Sequence, residues 1–594
     1  MVSFLVACSC LAAWLPEAVG AAFLEDYVEQ YRKDTTDPAA VYAVVLTLED
    51  KPLSEYEAAR RLGTGTFVRT AEGQERYRAL IEKQDALLTD LETVLARSVT
   101  AAYRYTAALN GICIYLSQSE SERVLEHAAS LGYGGMYLAS AASVPESRRS
   151  DRPAASVSES RADASGPILE YVGNDGIYGD GTGTVVAVID TELDFKHEYF
   201  TMKESGTGRL TKAYVDDLST ASFQKDSYYV SEKLPYVANY ENYTTNTYYD
   251  AQDIVHGSHV SGIAVGNGAG ASGSRYQISG NAPNAQLVFM GNAHLRDETL
   301  FASFDDCLYL EVDVVNCSFG AEGVMLYGKT DALEFERKIV ENLVKAGVQV
   351  CAAAGNSDKY ALGGNALLSH PAYSIPGYPY NIPQALTIAS AQNPFAVKTA
   401  LEAADGSFFF GQINSGFDSD DLEGLSTEYV VIPGIGSAAD FEGIDVSEKY
   451  ALVRRGEISF EEKSKNAADA GAIGIIFYNN IAGESPSAAA GSVLPGFMVS
   501  LEDGEAMAAL EKKTVRFRIF YSQQEGEPEV SAFTSWNCSN LLTLKPDLLC
   551  FGGNIYSSVP DNAYEFFNGT SMATPQAAGL YAILKQNVMQ QKTK

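Results

Sequence analysis

Short, continuously apolar runs separated by stretches of helical period dominate the middle of this 594-residue chain. Val185 to Ile189, Gln286 to Met290, Val312 to Val315 and Val348 to Ala353 are such runs, and Ala332 to Ala346 carries helical spacing between the last two. A strand that is apolar on both faces must be covered on both faces. From about Pro167 onward the pattern therefore predicts a doubly wound parallel sheet between layers of helix, an α/β architecture. The same pattern resumes through Leu544 to Phe551 and a final helix.

Other rhythms flank and interrupt that block. Residues 25–140 read as a smaller α/β unit, with strands at Tyr42 to Leu48 and Gly111 to Leu116 and a helical pattern from Glu75 to Arg97. A linker at 141–166 comes next, rich in Ser, Ala and Arg, and its Arg148-Arg149 pair offers an easy cleavage point. Residues 394–529 change pattern again, with a strand at Lys449 to Val453, a helix at Phe460 to Ala470 and a strand at Ile473 to Tyr478. The boundaries predicted are thus 1–21, 25–140, 141–166, 167–393, 394–529 and 530–594. The fifth is an insertion that splits the larger domain into two parts.

Residues 1–21 carry an apolar run from Val2 to Leu15 followed by Val19, Gly20 and Ala21. It is too short to span a bilayer comfortably and suits a secretory signal, although no Lys or Arg precedes it. No later stretch reads as a transmembrane helix, so a secreted protein is expected. Net charge is −33, from 76 acidic against 43 basic residues. Such a surface repels phosphate backbones and makes nucleic acid a poor partner. Cys317 and Cys351 lie in strand-like runs and read as small core residues, and no Cys/His spacing suggests zinc.

Three segments carry chemistry. TVVAVIDTELD places Asp190 at the carboxyl end of a buried strand, HGSHVSG opens a helix at His256, and NGTSMATP puts Ser571 at a helix start. Reactive crevices of open parallel sheets lie at the strands' carboxyl ends, where all three can meet. A serine hydroxyl needs an imidazole to take its proton, and an acid behind that imidazole fixes its tautomer. A helix N-terminus offers a backbone N–H to a developing oxyanion. Asn356, at the end of AAAGN, is the candidate side-chain donor to the same oxygen. His197 and His259 read as packed structural histidines.

These motifs resemble the subtilases, the subtilisin-like serine peptidase family. The resemblance implies Asp190 as acid, His256 as base, Ser571 as nucleophile and Asn356 as oxyanion donor. It also implies Ser318, Phe319, Gly320, Ala353, Ala354 and Gly355 as strands that bind the substrate backbone by β-augmentation. Further matches are GNAPNAQL (Gly280 to Leu287) and VDVVNCSFG (Val312 to Gly320). Residues 394–529 resemble a protease-associated domain through Lys449 to Asn480 and Leu494 to Leu510, either steering protein substrates or serving as a spacer. With KLPYVANY (Lys233 to Tyr240) and Thr543 to Ser557, they point to the lactocepin-like, cell-envelope branch.

The resemblance further implies a secreted serine endopeptidase, with possible cell-wall association, that cuts protein or peptide substrates through an acyl-enzyme. It needs no cofactor. Structural calcium occurs in the family, with no ligands assignable here. By position, 25–140 resembles a propeptide, a zymogen's own chaperone and inhibitor, with a retained binding domain as the alternative. Glu192 stands where the family has glycine, Glu198 where it has proline, and Asn537-Cys538 and Cys550-Phe551 where it has Gly-Pro and Ala-Pro. Only a short segment lies beyond Ser571, so truncation of the second catalytic part is expected. Two rival classes remain: a degenerate, non-catalytic binder, and a lipase, which would want GxSxG and the reverse triad order.

Overall fold

A computed structural model describes residues 41–139, 148–149, 179–218, 228–242, 244, 247, 255–270, 278–320, 330–356, 382–393, 395–414, 424–483, 486, 491–523, 528–535, 537–538 and 543–592. The expected signal at 1–21 lies outside them, as does all of the 141–166 linker except Arg148–Arg149.

Seven strands form the central sheet, in the order Leu548–Gly553, Leu386–Gln392, Gln349–Ala353, Val314–Cys317, Val185–Asp190, Gln286–Gly291, Tyr236–Asn239. Every neighbouring pair is parallel. Side chains alternate across each strand, so one run feeds two cores. Val186 and Val188 pack with helices His256–Val265 and Thr570–Lys592. Val185, Ala187 and Ile189 pack on the opposite face, with helices Asp297–Tyr309 and Thr330–Lys345. From Val185–Asp190 the chain first makes the edge strand Tyr236–Asn239, fills the gap with Gln286–Gly291, and then crosses to the other side. The order therefore reverses beside that strand, the switch point at whose carboxyl end open parallel sheets form their crevice.

The expected strand at Val312 to Val315 is displaced to Val314–Cys317. Val312 N–H donates back to Cys307 O at the preceding helix, and Asp313 N–H to Val185 O. The expected run from Leu544 to Phe551 is two strands, Leu544–Lys545 and Leu548–Gly553. Pro546 between them has no N–H for a ladder.

Residues 395–523 hold a seven-stranded closed barrel with its own cores, around Leu452, Ile476 and Phe497 and around Ala451, Ile475 and Met498. The chain leaves the central sheet and returns to it at one place, where Gln392 N–H donates to Glu529 O at 2.8 Å and Ala391 bridges Val530.

The N-terminal unit is a four-stranded antiparallel sheet, in the order Tyr103–Tyr105, Gly111–Ser117, Val41–Thr47, Gly135–Leu138. Helix Ala71–Leu95 starts where Thr70 Oγ1 accepts the Gly73 N–H at 3.0 Å, and it covers Val44, Leu46, Ile112 and Ile114. The other face, with Val45, Cys113 and Tyr105, joins the core that contains Phe301 and Phe304. There the buried Asp305 carboxylate accepts N–H bonds from Thr106 (3.0 Å), Ala107 (2.8 Å) and Ala108 (2.5 Å). Burial pushes its pKa up to about 7 against those donors. Asp305→Ala leaves three buried N–H groups without an acceptor. It should loosen residues 41–139 by about 3 kcal/mol, read as faster amide exchange in Thr106 to Ala108.

Candidate active site

The central strand ends on Asp190, which is fully buried, and helix His256–Val265 begins beside it. His256 Nδ1 lies 2.8 Å from Asp190 Oδ1. The same oxygen accepts the Thr191 N–H at 2.8 Å and faces Thr191 Oγ1 at 3.2 Å. Glycine permits this approach. A Cβ on Gly257 would stand 2.1 Å from Glu192 O, so any larger residue would push the helix off the acid's loop.

Ser571 is buried at the second position of helix Thr570–Lys592. Its Oγ donates to Ser318 O at 3.1 Å, while Ser318 Oγ donates to Ser571 O at 2.9 Å and accepts from Asn316 Nδ2 at 3.0 Å. His256 Nε2 is buried with no hydrogen-bond partner among the described residues. Asp190 and His256 are thus brought together, while the Ser571 hydroxyl is turned to the Ser318 carbonyl. Free enzymes often hold such contacts loosely and tighten them on substrate.

Asn356 Oδ1 accepts both the N–H and the hydroxyl of Thr570, each at 2.9 Å. Holding the oxygen end fixes which way the amide faces. A Cβ on Gly569 would stand 3.3 Å from Asn356 Nδ2 and 3.6 Å from Ser571 N, so both nitrogens border the space above that glycine. Thr570 also accepts the Gly355 N–H at 3.0 Å. Thr570 is a site residue that the sequence does not flag; its only signal is a hydroxyl immediately before the candidate nucleophile.

Ala354 N–H already donates to Ile388 O, Gly355 N–H to Thr570 Oγ1, and Gly355 O accepts the Ser535 N–H. Those groups bond within the fold, and substrate binding by Ala353, Ala354 and Gly355 stays an expectation. Ser318, Phe319 and Gly320 keep that role as an expectation.

The two histidines expected to be structural, His259 and His197, are buried in packed surroundings. His259 stacks on Phe567 at 4.4 Å with its Nε2 2.9 Å from Glu565 O, and burial holds its pKa down at about 3. His197 Nε2 lies 3.0 Å from Ala563 O. Cys113, Cys307, Cys317, Cys351 and Cys550 are buried free thiols. Among the described residues no cluster of acids, histidines and cysteines could hold a metal ion, and no helix is long and apolar enough to cross a membrane.

A parallel α/β sheet that gathers an acid, a histidine and a serine, in that chain order, near its carboxyl edge is the architecture of subtilisin-like proteins. The chain belongs to the subtilase family, peptidase S8, whose profile matches residues 181–593. It is similar to the PI-type proteinase of Lactococcus lactis subsp. cremoris, at 31% identity over 447 residues, covering 68% of this chain and 22% of that protein. A C5a peptidase of Streptococcus pyogenes is 30% identical over 434 residues, covering 69% of this chain and 35% of that one. The chain thus spans well under half the length of these relatives. Among solved structures, a psychrophilic subtilisin-like protease from an Antarctic Pseudoalteromonas shares 17% identity at a TM-score of 0.31, covering 68% of this chain and 83% of that one. Subtilases need no cofactor for catalysis.

Proposed function

We propose that the chain is a secreted serine endopeptidase in which Asp190, His256 and Ser571 hydrolyse peptide bonds through an acyl-enzyme. The observation that carries the reading is the 2.8 Å contact of His256 Nδ1 with buried Asp190, made by the histidine that opens a helix beside the sheet's switch point. Asp190 then holds the imidazole with Nε2 free to take a proton. On substrate binding the Ser571 hydroxyl swings from Ser318 O to Nε2 and attacks the carbonyl. Asn356 Nδ2 and the Ser571 N–H receive the oxyanion. The imidazolium passes its proton to the leaving amine, and water, deprotonated by the same imidazole, releases the acyl group.

In this reading residues 25–140 are a propeptide seated on helix Asp297–Tyr309, with a processing cut in the 141–166 linker. The barrel within 394–529 is a protease-associated domain that steers protein substrates. Residues 167–393 and 530–594 are the two parts of the catalytic domain, and the mature protein works outside the cell, at the envelope. A fluorescent serine-directed phosphonate tests the core of the proposal. It should label the wild-type protein rapidly at Ser571, and a wild type no more reactive than its Ser571→Ala variant would remove it.

A further inference from the structure

Glu192 lies two residues beyond Asp190 and is fully buried. Its Oε2 lies 2.6 Å from Thr191 Oγ1, which is itself 3.2 Å from Asp190 Oδ1. Thr191 has one hydroxyl hydrogen and two carboxyl oxygens facing it. If both carboxyls were ionised, one of those contacts would set oxygen against oxygen with nothing between them, at a cost the buried site cannot relieve with water. A proton on Glu192 removes the conflict. The acid then donates to Thr191 Oγ1, and the threonine's own hydrogen goes to Asp190 Oδ1.

We propose that Glu192 is a positioning residue held as the neutral acid, which through Thr191 supplies Asp190 with the hydroxyl donor that keeps the acid aligned on His256. The proposal rests on the reading of Asp190 and His256 given above. Asp190 Oδ1 then receives three hydrogens, from Thr191 N, Thr191 Oγ1 and His256 Nδ1, and the carboxylate cannot rotate without losing them together.

The surroundings favour the neutral form. Burial, chiefly, and the Asp190 charge push the Glu192 pKa up to about 8, against the opposing hydrogen bonds from Thr191 and from the Ser258 and Glu192 backbone N–H groups. The titratable groups facing this corner are Asp190 on its own strand, His256 from helix His256–Val265, and the Cys317 thiol, which faces Asp190 from the neighbouring strand. Asp194, on the same loop, turns away, its Oδ2 accepting the Asp561 N–H. Among the described residues no Lys or Arg forms an ion pair with Glu192, and Glu192 Oε1 has no hydrogen-bond partner.

A carboxyl whose folded pKa is raised keeps a proton that the unfolded chain has released. Its stabilisation is therefore full at low pH and is lost as pH rises from the ordinary glutamate range through about 8. Above that, ionised Glu192 claims the threonine's hydrogen and Asp190 loses a donor.

The test compares the full chain, as wild type, Glu192→Gln and Glu192→Ala, in two measurements. Glutamine keeps a donor towards Thr191 at every pH, and alanine at none. In peptide turnover, wild type should show an alkaline fall in kcat near pH 8 that Glu192→Gln lacks. At pH 7 Glu192→Gln should exceed Glu192→Ala about fivefold. In the Ser571→Ala background, which needs no activity, the melting temperature should drop between about pH 5 and 8, and Glu192→Gln should make that drop smaller, leaving the part due to Asp305. Superimposable pH profiles for wild type and Glu192→Gln in either measurement overturn the proposal. If Glu192→Ala does not fold, the glutamine comparison alone decides. Loss of the serine reading would show instead as turnover surviving Ser571→Ala, with the melting comparison still readable.

Discussion

Ser571→Ala should lower kcat on a peptide substrate about a millionfold while KM changes little, the magnitude subtilisin shows on losing its nucleophile or base. Binding should survive because the proposed reading puts the substrate's contacts along Ser318 to Gly320 and not on the hydroxyl. The fold should survive as well. Among the described residues the lost side chain makes one hydrogen bond, to Ser318 O, and a neutral bond of that kind is worth about 1 kcal/mol. Helix Thr570–Lys592 remains anchored through Met572, Ala573, Ala577 and Ala578 in the sheet's core. Steady-state kinetics beside a thermal melt check the prediction. Turnover within about tenfold of wild type in a folded variant would mean that the hydroxyl is not the nucleophile.

Asn356→Ala should cost about 10²–10³-fold in kcat with KM nearly unchanged, again the loss subtilisin shows for this donor. In the proposed reading the side chain is offered to an oxygen that becomes an anion only in the transition state, so ground-state binding has little to lose. Truncation also frees the Thr570 N–H and hydroxyl, which Asn356 Oδ1 accepts. A few degrees of melting temperature should therefore go with the rate, and kcat measured well below the melt separates the two effects. A variant that loses KM and keeps kcat would place Asn356 in substrate binding instead.

Much of the fold was legible because burial writes itself into composition. Val185 to Asp190 has no polar side chain before the aspartate, and only a strand covered on both faces tolerates that. The barrel's helix at Phe460–Asp469 and strand at Gly474–Tyr478 fall within a residue of their expected places, since periodicity and the Ser459 cap mark them locally. Boundaries failed where a tertiary bond decided them. Val312 is apolar enough for a strand, but its N–H closes the preceding helix instead.

By itself the sequence determined the parallel α/β class, the order of acid, histidine and serine, and the interruption between Asn356 and Ser571. All three are written in local apolar runs and short motifs. Tertiary structure alone decided that Thr570 clamps Asn356, that Ala354 and Gly355 are engaged internally, that the Ser571 hydroxyl rests on Ser318 O, and that Glu192 shares a threonine with Asp190. Hydrogen bonds join atoms whose separation depends on how distant strands and helices pack, and chain order carries no record of that distance.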